Sequence, residues 1–267
     1  MLNNITLGQF YPADSLVHKL DPRMKILLLI GLIVAIFIGQ NLLAYVPLIL
    51  FLAFAAHLSK VPFKMLLKGL KPLRFILIFT FVLNLFFLQG ETPLLHLGFV
   101  TIMQESVITA IHYSLRLVLL VLASSLLTLT TAPIVLTDGL ERLLSPLRVI
   151  HFPAHEMAMM MSIALRFIPT LLEEADKIMK AQTARGADFE SGNLLARAKA
   201  MVPLLVPLFV SAFRRAGDLA MAMEARCYHG SEGRTRLRVL KMGKNDALAA
   251  LMMGGLILCV ILVGCIY

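Results

Sequence analysis

The sequence predicts an all-α polytopic membrane protein with about five transmembrane helices and long amphipathic helices on the cytoplasmic side. The first observation is composition: 59% of the 267 residues are hydrophobic, and the mean hydropathy is +0.84. A soluble domain of this length would expose too much apolar surface. The second is charge: of 25 Lys and Arg residues, none lies in 26–59 or 75–115, whereas sixteen lie in 142–244. Apolar segments separated by basic segments are typical of polytopic membrane proteins.

The apolar segments predict the individual spans. Asp21-Pro22 has the pattern of a helix N-cap followed by proline at the first helical position, which starts the first span. The last span is free of charged residues and, at about 1.5 Å per residue, is just long enough to cross a core of about 30 Å. The five predicted spans are Lys25–Gly39, Leu42–Leu58, Leu73–Leu88, Ser106–Thr131 and Ala247–Ile266.

The distribution of positive charge predicts both the organisation and the orientation of the chain. We expect a cytoplasmic N-terminal segment (1–24), four transmembrane helices (25–131), a basic cytoplasmic-side region (132–246) and a C-terminal transmembrane helix (247–267). The loop after the second span, between Lys60 and Arg74, carries five positive residues, whereas the connection Gln89–Glu105 carries none. Because positive loops remain inside, the N-terminus is expected in the cytoplasm and the C-terminus outside.

Helical periodicity indicates that the basic region is folded. From Glu156, apolar residues recur along one face of a helix, and a second such helix runs from Leu194 to Arg226. A shorter amphipathic piece, Leu136–Ile150, precedes both. Prolines inside the two long helices, at 169, 203 and 207, are expected to bend them. We expect these helices to be too charged to span lipid and to pack beneath the spans.

Both long helices end in the same dipeptide. The first ends in Ala184-Arg185-Gly186, and Gly186 suits the left-handed position that closes a helix. The second ends in Ala225-Arg226-Cys227, 41 residues later. An Arg at such a tip could fork onto a carboxylate of a partner, or it could only complement the helix dipole.

Several segments together resemble the transmembrane T component of energy-coupling factor transporters, the EcfT family. The matching segments are Ser15–Arg23, Leu165–Thr170 with Glu173 and Glu174 after it, Ala181–Gly186, and Ala225–Cys227, where Cys227 stands in place of the family's usual Gly. They occur in order across nearly the whole chain.

The resemblance implies a non-enzymatic subunit of an ATP-driven importer of a vitamin or another micronutrient. In that family, two Arg-bearing coupling helices dock onto a pair of ATP-binding subunits, which would place Arg185 and Arg226 at those contacts. An apolar face of the T component holds a membrane protein that captures the substrate, the S component. The resemblance implies no cofactor in this chain, because ATP and Mg²⁺ would be bound by the partner ATPases.

Arg116, with His112 one turn before it, is the charged residue within the predicted fourth span. At that depth a charge should face protein or water and have a partner. The pair could be structural, could contact a partner protein, or could show that the span boundary is misplaced.

Other function classes have little support. The net charge of +9 follows from the positive-inside bias and does not require nucleic acid. No phosphate-binding G-x-x-x-x-G-K-[S/T] loop occurs, so the chain is not expected to be the ATPase itself. His151 and His155 flank Pro153 without a zinc motif, so no metal site is expected. A conventional ABC importer permease is the main alternative, but it would need a polar route through its spans, and the first three spans are almost wholly apolar.

Overall fold

The computed structural model of the chain describes residues 10–39, 41–87, 92–97, 100–187, 189, 193–230 and 240–266. Parts of the predicted N-terminal segment, of the Gln89–Glu105 connection and of the basic region lie outside the described residues, as do Gln40, Leu88 at the end of the predicted third span, and Tyr267. The helices are α1 Leu16–Lys19, α2 Pro22–Ile38, α3 Tyr45–Ser59, α4 Phe63–Leu70, α5 Arg74–Phe87, α6 Gln104–Thr130, α7 Pro133–Leu144, α8 Ala154–Ala184, α9 Leu194–Glu224 and α10 Lys244–Ile266.

The predicted all-α polytopic class is confirmed. Each of the five predicted spans corresponds to one helix, namely α2, α3, α5, α6 and α10 in chain order. The predicted start of α2 is also confirmed, since the Asp21 carboxylate accepts a hydrogen bond from the backbone N–H of Arg23 at 2.9 Å and Pro22 occupies the first helical position.

Four described segments are long and apolar enough to cross a membrane: Leu42–Ser59, Gln104–Thr130, Lys199–Glu224 and Lys244–Cys265. Three coincide with predicted spans. The segment Lys199–Glu224 belongs to α9, which we expected to be too charged. Its charges are Lys199 and those from Arg214 onward, so residues 200–213 are uncharged. Helices α2 and α5 have 17 and 14 residues, and at about 1.5 Å per residue they are shorter than the ~30 Å core. The count of five spans therefore stays a prediction.

Two short elements occur where the sequence indicated only connections. The basic loop after the second span contains α4, an amphipathic helix. The connection before α6 contains an antiparallel hairpin of β1 (Pro93–Leu97) and β2 (Val100–Met103), with an irregularity between Pro93 and Leu95. Helix α4, with eight residues, is shorter than the window of about 11–18 residues on which helical periodicity arguments depend.

The chain divides into two compact units, one formed mainly by Leu143–Arg238 and the other by Gly8–Arg142 together with Val239–Tyr267. In the second unit, α2, α3, α6 and α10 pack around one apolar core. Its most deeply buried members include Ile36, Tyr45, Leu48, Leu119 and Val260. Many apolar side chains on the outer faces of these helices are exposed, as expected of a bundle whose surroundings are lipid.

The Leu143–Arg238 unit contains the two long amphipathic helices. They were predicted to start at Glu156 and Leu194, and the helices begin at Ala154 and Leu194. Pro169 lies within α8, and Pro203 and Pro207 lie within α9. The amphipathic piece Leu136–Ile150 is divided into the end of α7 and a 3-10 segment, Ser145–Ile150.

Candidate functional site

Helix α8 ends in a Schellman closure at the first Ala-Arg motif. The N–H of Ala187 donates to the carbonyl of Gln182 at 3.0 Å, and the N–H of Gly186 donates to that of Thr183 at 2.9 Å. Gly186 has φ of +89°, the left-handed conformation that this closure requires and that glycine adopts without steric cost. The predicted role of Gly186 in ending the helix is therefore confirmed.

Helix α9 ends in the same way although it has no glycine at this position. Cys227 has φ of +55°, its N–H donates to the carbonyl of Glu224 at 2.8 Å, and the N–H of Tyr228 donates to that of Met223 at 3.1 Å. These acceptors and donors lie 41 residues after their counterparts in α8. Cys227 thus adopts the backbone conformation of the glycine it replaces, and the turn is retained.

Each closure presents an arginine to solvent immediately after the last helical turn. Ala184, Arg185 and Gly186 are exposed, and so are Ala225, Arg226 and Cys227. Among the described residues, neither Arg185 nor Arg226 takes part in an ion pair. A free guanidinium presents a planar set of donors that matches a carboxylate or a phosphate.

An ion pair connects α8 and α9 at corresponding positions. Arg215 Nη2 lies 3.0 Å from Glu174 Oε2, and a hydrogen bond from Ser211 together with the charge of Arg215 lowers the pKa of Glu174. Glu174 precedes Arg185 by eleven residues, and Arg215 precedes Arg226 by eleven. Each tip therefore extends roughly 16 Å along its own helix axis from this contact.

Arg116 and His112 lie together at the carboxyl end of α2. Arg116 donates from Nη2 to the carbonyl of Gly39 at 3.3 Å and from Nε to the hydroxyl of Tyr45 at 3.2 Å. His112 Nε2 lies 3.3 Å from the same carbonyl, and its ring packs edge-on against Tyr45, with centroids 4.9 Å apart. The guanidinium also lies over the ring of Phe37 at 5.2 Å.

These contacts give Arg116 a structural role in the chain. A cation at the end of a helix complements the negative end of the helix dipole, and Gly39 is the residue that ends α2. Helix α6 has 27 residues and is about 40 Å long, which exceeds the ~30 Å apolar core. Arg116 therefore lies at the level where the shorter α2 ends.

A buried polar cluster at the opposite end of α2 was missed by sequence reasoning. Lys25, 6% exposed, donates from Nζ to the carbonyls of Thr130 at 2.9 Å and His18 at 3.1 Å, and to the Thr131 hydroxyl at 3.2 Å. Its position after Asp21-Pro22 suggested only a cytoplasmic charge. Asp246 accepts from the N–H of Asp21 at 2.8 Å. The cluster joins the ends of α2, α6 and α10.

The cleft between these helices is apolar, and it bears on the permease alternative. It has a volume of about 150 Å³ and is lined by side chains such as Leu28, Leu32, Phe51 and Met253. Its polar contributors are Lys25, whose amine is occupied by the three acceptors described above, and Thr130. This cleft does not provide the polar route that a permease with its own substrate path would need. Among the described residues, no group of three or more His, Cys, Asp or Glu side chains could hold a metal ion.

Comparison with known proteins gives matches over most of the chain. The CbiQ family, described as "Cobalt transport protein", matches residues 13–237. The chain is 56% identical over 253 residues to a protein of Acidaminococcus fermentans, covering 95% of this chain and 94% of that protein. It is 54% identical over 252 residues to one of Clostridium kluyveri (94% and 93%) and 50% identical over 246 residues to one of Bacillus subtilis (92% and 93%). All three are named "Energy-coupling factor transporter transmembrane protein EcfT".

Proposed function

Because this chain belongs to the CbiQ family and, within it, to the energy-coupling factor transporter transmembrane proteins EcfT, we propose that it couples two ATP-binding subunits to a substrate-capturing S component. The chain is a multi-pass membrane subunit of a transporter. In this proposal it catalyses no reaction itself, and ATP and Mg²⁺ are bound by the partner subunits. The substrate would be a vitamin or another micronutrient held by the S component.

The observation that carries the proposal is the pair of matching tips on α8 and α9. The two closures share their hydrogen-bond pattern, and each presents an exposed arginine. Two equivalent tips suit a pair of similar ATP-binding subunits, with one tip for each. A groove that contains a carboxylate would bind the guanidinium through a bidentate, charge-assisted contact.

The contact between α8 and α9 would let the two tips act together. The Glu174–Arg215 pair lies at equal distances from both tips. When the two ATP-binding subunits approach each other on binding nucleotide, their movement would change the angle between the helices. Transmission of force requires helices that stay stiff over the roughly 16 Å between the ion pair and each tip. Helices α8 and α9 are continuous over 31 residues each.

The apolar face of α9 is the surface that we assign to the S component. Met201, Leu205, Phe209 and Phe213 recur along this helix with spacings of four residues, and their exposures run from 45% to 75%. A partner in the membrane would cover an exposed apolar stripe of this kind. In this proposal the N-terminus lies in the cytoplasm and the C-terminus outside.

The experiment replaces Arg185 and Arg226 by Ala, singly and together, in the assembled transporter. Removing one partner of a desolvated Arg–carboxylate contact costs about 2–5 kcal/mol, so each variant should insert into the membrane but retain less ATPase on co-purification. Arg→Lys should restore binding only partly, because Lys lacks the planar fork. Arg214→Ala is the matched control, because Arg214 is exposed on α9 but lies away from the tip.

The double Ala variant decides the proposal. We expect it to abolish ATP-driven uptake. Full uptake by that variant, together with unchanged co-purification of the ATPases, would refute the role of the tips. Orientation is tested separately with single cysteines at Lys64 and Lys199, which should react with a reagent applied from the cytoplasmic side, and at Glu91, which should react only from outside.

A further inference from the structure

We propose that α4 binds the phosphate groups of anionic phospholipids in the cytoplasmic leaflet through a lysine face formed by Lys64, Lys68 and Lys71. The proposal rests on the orientation proposed above, with the basic loop on the cytoplasmic side, and is independent of the contacts proposed for the helix tips. Three features of the described residues support it: unpaired charge, the arrangement of the side chains around α4, and the level at which α4 crosses α6.

The positive charges around α4 are not balanced by acidic residues in this part of the sequence. Between Asp21 and Glu91 the sequence contains no acidic residue, whereas the segment from Lys60 to Arg74 contains five cations. All five are exposed, and none forms an ion pair with another described residue. Adjacent like charges repel one another, and an anionic surface would relieve that repulsion.

The side chains of α4 separate into three zones around the helix axis. Leu66 is 3% exposed and faces the bundle. At about 100° per residue, the three lysines fall within an arc of about 60° on the opposite side; Lys71 continues the helix with φ of −56° and ψ of −47°. Phe63 and Leu67 lie between these zones and are 61% and 46% exposed. An exposed apolar edge beside a cationic face is the pattern of a helix that lies in a membrane interface.

The contact between α4 and α6 places the lysine face near the end of a membrane span. A Cβ atom added at Gly69 would lie 2.5 Å from Ser125 Oγ, so the backbone of α4 approaches α6 closely at this point. Ser125 is five residues from Thr130, the last residue of α6, which is roughly 8 Å along the axis. The lysine face therefore lies within about 8 Å of the end of this span along its axis, and lysines near the end of a span can extend their amines to lipid phosphates.

An anionic lipid accounts for both the lysines and the exposed apolar edge. Phe63 and Leu67 can insert between acyl chains while the amines bind phosphates above them. An acidic protein surface in the cytoplasm would satisfy the lysines but would leave these apolar side chains in water. The segment also follows directly on α3, which is part of the candidate span Leu42–Ser59, so it cannot move far from the bilayer surface.

The absence of tryptophan from the chain permits a direct measurement. In the full-length chain, Leu67→Trp places a single indole at the apolar edge of α4. The protein is reconstituted in vesicles of phosphatidylcholine with a minor fraction of brominated lipid, either phosphatidylglycerol or phosphatidylcholine. Bromine quenches the fluorescence of the indole only on contact. We expect the brominated anionic lipid to be enriched at the indole by at least roughly fivefold over the neutral one, about the contribution of one lysine near a membrane surface.

Matched variants distinguish the lysine face from general positive charge. Lys64→Gln, Lys68→Gln and Lys71→Gln together should remove the enrichment, whereas the same change of charge at Lys177, Lys180 and Lys199 should leave it unchanged. Raising the salt concentration should lower the enrichment, because exposed charges are screened. Phe63→Trp serves as a second reporter if the first variant does not fold.

Each of the following outcomes would overturn the proposal. Equal quenching by the anionic and neutral lipids would show that α4 does not select anionic headgroups. If the triple Gln variant still enriches the anionic lipid at the indole, other cationic residues cause the enrichment. Removal of the enrichment by millimolar soluble glycerol phosphate would indicate a site for free phosphate. If quenching is unselective and the triple variant loses an ATPase on co-purification, the lysine face binds a protein instead.

Discussion

Replacing Glu174 by Ala is expected to uncouple ATP hydrolysis from uptake without unfolding the chain. The change removes the carboxylate that pairs with Arg215 Nη2 at 3.0 Å and that also accepts a hydrogen bond from Ser211. Both charged partners are partly exposed to solvent, and such pairs contribute little to global stability. The melting temperature should therefore change little. The expected effect is on the angle between α8 and α9.

The lengths of the helices determine the size of this effect. Each tip lies roughly 16 Å from the ion pair along its own axis, so a change of about 10° in the crossing angle moves the tip by about 3 Å. That distance is comparable with the full length of a hydrogen bond, so Arg185 and Arg226 would no longer reach, at the same time, the two carboxylates proposed as their partners. A tip that loses about 1.4 kcal/mol of docking free energy loses about tenfold in affinity.

The assay is ATP turnover and substrate uptake, measured side by side in reconstituted vesicles. We expect the uptake per ATP hydrolysed to fall in Glu174→Ala. The matched control, Glu173→Ala, removes a neighbouring exposed carboxylate and should leave the ratio unchanged. Exchanging the charges, with Glu174→Arg and Arg215→Glu in one chain, should restore part of the ratio. A normal ratio in Glu174→Ala, with the ATPases still bound, would show that this pair does not set the angle.

Three further changes test other parts of the structure. Gly186→Ala should destabilise the end of α8 by about 1–2 kcal/mol because φ is +89°, whereas Cys227→Ala should be nearly neutral. The expected readout for Gly186→Ala is faster amide hydrogen exchange confined to the end of α8, and equal exchange rates in both variants would contradict this prediction. Lys25→Met should lower the unfolding free energy in detergent by about 2–4 kcal/mol, since it leaves buried carbonyls such as that of Thr130 without their donor. Lys19→Met is the exposed control, and an equal loss of unfolding free energy in the two variants would contradict the prediction. Burial and the charge of Lys25 lower the pKa of His18, so the contribution of neutral His18 to stability is present above the ordinary histidine pKa of about 6.5 and is lost as pH falls. The melting temperature should therefore fall more from pH 7.5 to 5.5 in the native chain than in His18→Gln. The same fall in both chains would exclude a role of His18 in the pH dependence of stability.

Local sequence patterns were sufficient to locate the helices of the five predicted spans and the two helix tips. A membrane span requires a run of apolar residues, and the positive-inside bias marks its ends, so all five predicted segments are helical. The closure at Gly186 depends on residues within six positions of one another, and a short motif contains all of them. Cys227 shows the limit of this reasoning, since its left-handed backbone follows from the closure and not from its own preference.

The charged residues inside the helices could not be assigned their roles from sequence. From the sequence, Arg116 is a charged residue in the middle of one long predicted span. The sequence of α6 alone does not show that Arg116 lies beside the end of α2. Only the packed bundle shows that its guanidinium reaches the carbonyl of Gly39, 77 residues away. Helix α4 was missed for a related reason, since eight residues are too few for a periodic pattern to be distinguished from a basic loop.

The sequence by itself determined that the chain crosses a membrane, that the long apolar and amphipathic segments are helical, and that two helices end in matching arginine tips, because each property depends on neighbouring residues. Tertiary structure decided which charges are buried and which are free. Asp21 and Asp246 meet across 225 residues, and Glu174 meets Arg215 across 41. Such contacts depend on how each helix is rotated and where it crosses its neighbour, and packing over the whole bundle sets both.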